Sequence, residues 1–496
     1  MTHVLSPFRG SFRLKIVSSL SLTLLADFLF YGHQAGWTSG FFGFLLIGAF
    51  TIHNPGTLET RAGRIISLLM IVQCGLLVEK TSLLSIFLIV IGTVSLAIIS
   101  KGGLQKDAMA WIGKLASFFL FLLHPLSKAA IAYRKYQRRV MPQNTLEIFM
   151  RGWLLPVLLF FMFLLLFSSA NPIITRWVSF VNPEFVVKHF SLGRLFFWVL
   201  AGAAIFAVIR PKLRAQKARR LAAPKEADEP KPMGLTEWVF TKEAVLRSLV
   251  IFNLMFACQT ALDINYLWAG ADLPKGITYA QYAQQGAYPL IVTALLAAVF
   301  VLITQNADPE ISGSRIVRGL IYLWVMQNVL LVVSSIYRTN MYVEVYALTY
   351  WRVAAFIWMG LVAMGLCWII VRSLLNKSNS WLINANVLTL LGVLYITSFV
   401  NIGGMIAHYN VMHSKEISGK GIYLDINYLK SVGSAAFPAL KIYAERGWQK
   451  RPHSLSADDE YVSIGFMYVT LHRDLQNWRR WTYSEYRLLK SLESQE

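Results

Sequence analysis

Asp27, Asp263, Arg338, Glu344 and Arg352 are ionisable residues set within or at the ends of long apolar runs. A charge in such a place is expensive unless it has a partner or a wet cavity, so each is a functional candidate. Carboxylates beside arginines can bind phosphate and move protons, with Asp27, Asp263 or Glu344 as general acid or base. A structural alternative stands beside this one: Asp263 pairs with Arg338 or Arg352, and the nearby tyrosines belong to the aromatic belt of a membrane protein. Gln259, Gln327 and Asn328 add polar groups to the same apolar runs.

Other chemistry lacks its signatures. The sequence has no Walker A loop, GxSxG, HExxH or GxGxxG, so phosphate-loop, α/β-hydrolase and zincin mechanisms are not indicated. Cys74, Cys258 and Cys367 lie far apart inside apolar runs, which suggests neither a zinc site nor a disulfide framework. His408 and His413 near Gly403-Gly404 read as a helix end near water rather than a metal site, and Asp458-Asp459-Glu460 as a solvated helix start. No metal and no cofactor is expected.

These residues are positioned by membrane spans. With 56% hydrophobic and 15% charged residues in 496, the chain has too few charges to cover a soluble protein of its size. Eleven candidate spans follow: 16–30, 37–52, 65–78, 83–99, 153–169, 195–209, 249–262, 289–304, 316–333, 353–371 and 382–400. Several fall short of the roughly 20 residues a bilayer needs, so their ends must extend into polar flanks. The first follows Arg9, Arg13 and Lys15 and carries bulky Phe28, Phe30 and Tyr31 at its end, the pattern of an uncleaved start-transfer helix. Trp111 to Leu126 has a short apolar core bounded by Lys114 and His124-Pro125 and reads as an interfacial helix.

The formal charge of +21 sits almost wholly in the membrane part, because the residues after Asn401 carry 12 Lys/Arg against 10 Asp/Glu, leaving +19. Positive-inside topology explains this better than nucleic acid, which is not expected as a partner. The basic stretches 128–151 and 210–231 lie on one side of two intervening spans, which makes that side cytoplasmic. The N-terminus is then cytoplasmic, and the residues after Asn401 are extracytoplasmic, in the inner membrane of a bacterium. Arg338 and Arg352 flank a short outer connection that contains Glu344, and Asp27 and Asp263 lie near the outer ends of their helices, so the five charges converge on one face.

The expected fold is an all-α polytopic transmembrane protein of about 11 spans with a small, mainly helical C-terminal extramembrane domain. Residues 1–210 form one membrane half, 211–240 a basic cytoplasmic linker, 241–401 a second half and 413–496 the extracytoplasmic domain. Helices are expected at 425–432, 435–445, 459–474 and 483–493, the last opened by Thr482 with Glu485 three positions on. Trp478-Arg479-Arg480-Trp481, with Tyr483 and Tyr486, looks like an aromatic and basic binding surface, for which packing of the tail onto the outer membrane face is the simpler explanation.

Ala26-Asp27-Phe28-Leu29-Phe30-Tyr31, Leu262-Asp263 with Tyr266-Leu267-Trp268, Tyr342 to Thr349 with Arg352, and Ile406-Ala407-His408-Tyr409-Asn410 together resemble bacterial membrane proteins of domain of unknown function 4173, or its relative 4153. The resemblance covers nearly the whole chain and implies a polytopic inner-membrane protein. It carries over no activity and no catalytic residue. One departure is Ala347, where the Tyr-Gly-Leu-Thr form would have glycine, which argues against a tight turn there.

The function expected from these readings is non-enzymatic: a transporter-like channel for a small solute or lipid, or an envelope sensor or scaffold with membrane lipids around it and a periplasmic protein partner for its tail. The alternative is a membrane-embedded enzyme acting on a lipid-linked substrate at the outer leaflet.

Overall fold

The structure, a computed structural model, describes residues 12–102, 107–120, 122, 156, 160, 192–211, 242–269, 315–375, 377–447 and 458–494. The described residues are all-helical, with no strand among them. They fall into two compact units: 1–105, 110–215 and 475–496 in the first, and 106–109 with 216–474 in the second. Residues 475–496 thus group with the N-terminal unit.

In the first unit α1 (Phe12–Phe30), α2 (Trp37–His53), a single turn α3 (Gly56–Glu59), α4 (Arg61–Glu79), α5 (Leu83–Ile99), α6 (Ala108–Leu120) and α7 (Leu192–Ile209) follow the apolar runs closely. Caps fix the starts of two of them: Thr60 accepts from the Gly63 amide at 3.0 Å and Ser82 from the Ser85 amide at 3.3 Å. Such a cap contributes ~1 kcal/mol. Apolar helices gain little from hydrophobic burial against one another in lipid, so close approach through small residues matters. A methyl on Gly40 would lie 2.2 Å from the Cys74 carbonyl oxygen, so α2 presses against the α4 backbone where only glycine fits, and one on Gly92 would lie 2.7 Å from Met70 Sδ, so α5 packs closely on the Met70 side chain of α4. Trp111 of α6 donates its indole N–H to Ser95 Oγ at 3.2 Å and packs on the core of this unit.

The second unit begins with α8 (Lys242–Leu262), whose last turn widens into a π-helix over Asp263–Trp268. It continues with α9 (Arg315–Tyr346), α10 (Tyr350–Leu374) and α11 (Asn379–Phe399) around a core of Leu249, Trp324, Met359, Leu366 and Leu382. Beyond them α12 (Ile402–Met412), the short α13 (Lys415–Ser418), α14 (Ile426–Val432), a 3₁₀ turn (Gly433–Ala436) and α15 (Phe437–Arg446) enclose Val411, Leu429, Leu440 and Tyr443. Buried Glu416 ties this assembly together, accepting from the Leu424 amide at 3.2 Å and the Tyr443 hydroxyl at 3.0 Å. Helix α16 (Asp458–Gln476) follows, and α17 (Tyr483–Glu493), which belongs to the first unit, opens with Thr482 donating to Glu485 at 3.0 Å.

Five of the described helices are long and apolar enough to cross a membrane: Arg61–Glu79, Glu243–Trp268, Arg315–Tyr346, Tyr350–Leu374 and Asn379–Phe399. Helices α2 and α5, at 17 residues each, reach about 25 Å, a little under the ~30 Å of hydrocarbon. Nine of the eleven apolar runs are described as helices. Apart from Leu122, Pro156 and Phe160, the runs 153–169 and 289–304, the linker from 212 and the end of the Trp111 to Leu126 segment lie outside the described residues. The largest difference from the sequence reading is α9, which runs 32 residues to Tyr346 instead of ending near Val333. Its polar end stays helical because the charges find partners: Arg338 meets Asp263, and Asn340 donates to Glu344 one turn on at 2.9 Å. Glu344 therefore stands on a helix, and the connection to α10 is only three residues.

Candidate functional site

Each unit holds a carboxylate–arginine pair between helices. In the first, Asp27 of α1 faces Arg194 at the start of α7, which donates Nε to the two carboxylate oxygens at 2.9 and 3.1 Å while Nη2 also reaches Oδ2. The two-point geometry suits a planar guanidinium, and the same group lies over the rings of Tyr31 and Trp198 at 5.4 and 5.7 Å. Sequence reading singled out Asp27 but not Arg194, which it took as the flank of a span. The available signal was an arginine next to the aromatic Phe196, Phe197 and Trp198.

In the second unit Asp263 opens the π-helical turn and its Oδ1 accepts from Arg338 Nη2 of α9, with side chains only 1% and 2% exposed. Gln259, one turn earlier on α8, donates to the same oxygen at 2.9 Å. The α8–α9 seam below is polar too: Gln327 donates to the Asn253 carbonyl at 3.2 Å, Asn253 to the carbonyls of Leu249 and Leu320, and buried Asn328 to that of Trp324. Such a pair gains its attraction only after both ions have lost their water, so its geometry matters more than its presence.

Glu344 and Arg352 belong to a different feature. They line a cavity of about 720 Å3 in the second unit, formed by the α9–α10 turn and by the segment from Tyr409 to Tyr428. Neither Asp263 nor Arg338 lines it. Ala347 adopts φ +63°, the one positive-φ residue other than glycine among the described residues. The tight turn is therefore made despite the missing glycine, at a cost of ~1–2 kcal/mol for a left-handed non-glycine residue. What offsets the strain is visible: Arg352 Nη1 donates to the carbonyls of Tyr346, at 2.6 Å, and of Ala347. Asn410 of α12 grips Leu348 on both sides, accepting from its amide at 2.7 Å and donating to its carbonyl at 2.9 Å. Gly403 allows this close packing, since a methyl there would meet the Tyr350 hydroxyl at 2.6 Å.

The Arg352 guanidinium lies over the Tyr342 ring at 4.6 Å. His413 stacks on Tyr409 with ring centres 4.0 Å apart. Burial, and then the Glu344 carboxylate, raise the Tyr409 phenol above its ordinary pKa. In the sequence Tyr409 and Asn410 stand out only through the family resemblance, His413 reads as a helix end near water, and no spacing rule links Lys420 to Glu344.

The five charges of the sequence reading thus occupy three settings: Asp27 with Arg194, Asp263 with Arg338, and Glu344 with Arg352 on the cavity. The aromatic tail segment also has protein partners within the first unit. Trp37 donates its amide to the Trp481 carbonyl at 3.0 Å and its indole N–H to the Trp478 carbonyl at 2.7 Å, and Arg479 lies over Phe28. The segment docks on the ends of α1 and α2. Among the described residues, no three His, Cys, Asp or Glu side chains gather as they would around a metal ion.

A family model described as Domain of unknown function (DUF4153) matches residues 20–442. No curated protein and no solved structure matches the chain.

Proposed function

The chain belongs to the DUF4153 family, and on that premise we propose that it is a ligand-binding membrane protein of the sensor or scaffold kind, whose binding site is the cavity between the α9–α10 turn and the tail. The observation that carries this reading is the partition of the charges. Asp27 and Asp263 each have an arginine partner, whereas Glu344 and Arg352 line an open cavity of about 720 Å3, within the range of small-molecule sites. The tail contributes half of the lining, so a bound ligand would change how α12–α14 rest on the membrane helices. That is how occupancy would be reported to a protein partner.

In this reading the membrane is a bacterial inner membrane, crossed eleven times, with the cavity at the extracytoplasmic face and α6 lying along the cytoplasmic interface. A reporter fused after His413 that is active only in the cytoplasm would reverse the cavity's side. For the site itself, the test is native mass spectrometry of the full-length chain. Wild type should retain a small-molecule adduct that Lys420→Gln and Glu344→Gln lose. The reading fails if wild type carries none and a total membrane extract does not slow maleimide labelling of an Ile422→Cys reporter in the cavity wall.

A further inference from the structure

Resting on the reading of this cavity as a ligand site, we infer that its ligand is a zwitterion, an ammonium and a phosphate on one small headgroup. The polar lining divides into groups already committed and groups left over. Asn410 is used on Leu348, Thr349 Oγ1 caps the Arg352 amide, and Asp425 caps the Tyr428 amide at 2.9 Å. The Tyr428 hydroxyl accepts from the Tyr350 amide at 2.9 Å, Ser414 donates to the Val411 carbonyl and Ser418 to that of Lys420, both at 2.8 Å. These hold the wall in shape.

Four charged groups line the cavity, Glu344 and Asp425 against Arg352 and Lys420, so the fixed charges cancel. A balanced lining with both signs favours a ligand with both signs over a plain anion, which two carboxylates would repel, or a plain cation. The signs are also differently furnished. Glu344, whose Oε1 accepts from Asn340 at 2.9 Å, lines the cavity together with Tyr346 and Tyr409, a carboxylate and aromatic rings that suit an ammonium. Arg352 spends Nη1 on two backbone carbonyls and keeps its other N–H groups, and the Lys420 ammonium has no hydrogen-bond or ion-pair partner among the described residues. His413 Nδ1 donates to the Tyr409 carbonyl, 2.9 Å away, and so belongs with the groups that hold the wall in shape. Next to the turn, at the start of α10, Tyr350 and Trp351 are exposed, the latter 84%, aromatic surface against which acyl chains can lie. Phosphoethanolamine, free or as a phospholipid headgroup, has the required chemistry.

The test uses full-length protein in detergent with Cys258 and Cys367 replaced by alanine and Ile422→Cys as the labelling site. Dihexanoyl phosphatidylethanolamine should slow maleimide labelling saturably, and dihexanoyl phosphatidylglycerol, which lacks the ammonium, should need at least tenfold higher concentration. Glu344→Gln should abolish that preference, and Lys420→Gln should weaken protection by the zwitterion about tenfold. Neither side chain holds the turn, so both variants should fold. Equal protection by free phosphoethanolamine would assign a soluble source and keep the inference. Equal protection by phosphatidylglycerol, or a preference that survives Glu344→Gln, overturns the zwitterion while leaving a ligand site. Protection by a total membrane extract but by none of these probes does the same. No protection by any probe or extract removes the ligand-site reading as well.

Discussion

Asp27 and Asp263 are the same residue type near the same end of comparably apolar helices, yet the structure treats them differently. Arg194, the partner of Asp27, keeps 25% of its side chain exposed and leans on two aromatic rings, whereas Arg338 and Asp263 are 2% and 1% exposed and share their site with Gln259. A guanidinium that can reach solvent tolerates loss of its carboxylate. One sealed between α8 and α9 does not. The lesson is that an intramembrane charge is informative only together with the exposure of its partner: among the described residues the Asp263–Arg338 pair is sealed between helices, while Glu344 and Arg352 line a cavity.

The sharpest way to break this contrast is to remove one member of the sealed pair. Arg338→Met leaves Asp263 buried without its cation and should destabilise the second unit by about 3–5 kcal/mol, the range for stranding a buried charge. Fluorescence-detected size exclusion would show this as loss of the folded peak after mild heating. The double variant Asp263→Leu/Arg338→Met should recover most of the loss. If the single variant is as heat-stable as wild type, the pair is no fastener.

The matching change in the first unit, Asp27→Asn, should produce a clearly smaller fall in melting temperature, since Arg194 retains water and the rings of Tyr31 and Trp198. A fall as large as that of Arg338→Met would erase the distinction between the units. Arg352 sharpens it differently, because its acceptors are backbone carbonyls of a strained turn. Ala347→Gly should stabilise by roughly 1 kcal/mol by relieving the left-handed alanine, and a lowered melting temperature would show that the methyl packs usefully. The smallest effect belongs to Glu79–Arg487, a pair with side chains 35% and 57% exposed. Arg487→Gln should cost at most about 1 kcal/mol, and less at high salt; a larger loss would mean that α17 is held mainly by this charge.

Much of the helical layout was legible because it depends on local sequence. The apolar run 83–99 became a helix over the same residues, and Ser82 caps it as a serine before an apolar run should. Asp425 and Thr482 likewise marked helix starts in the tail. The end of α9 was misread because hydropathy falls at Arg338, and the partner that keeps the chain helical, Asp263, lies 75 residues earlier. Ala347 was misread for a related reason: glycine is the cheapest residue at positive φ, but a turn clamped by Arg352 and Asn410 can hold an alanine there.

By itself the sequence determined the helical character of the described residues, the apolar helices that suggest a membrane location, and which charges are too costly to be there without a reason. Those properties follow from composition and from periodicities of a few residues. Only the tertiary structure decided which reason applies to each charge. Asp27 finds Arg194 across 167 residues, the tail from 475 joins the N-terminal unit, and Lys420 and His413 come to share a cavity with Glu344. Pairing of this kind depends on which helices pack together, and the energy that selects it is spread over many contacts that no short stretch of sequence contains.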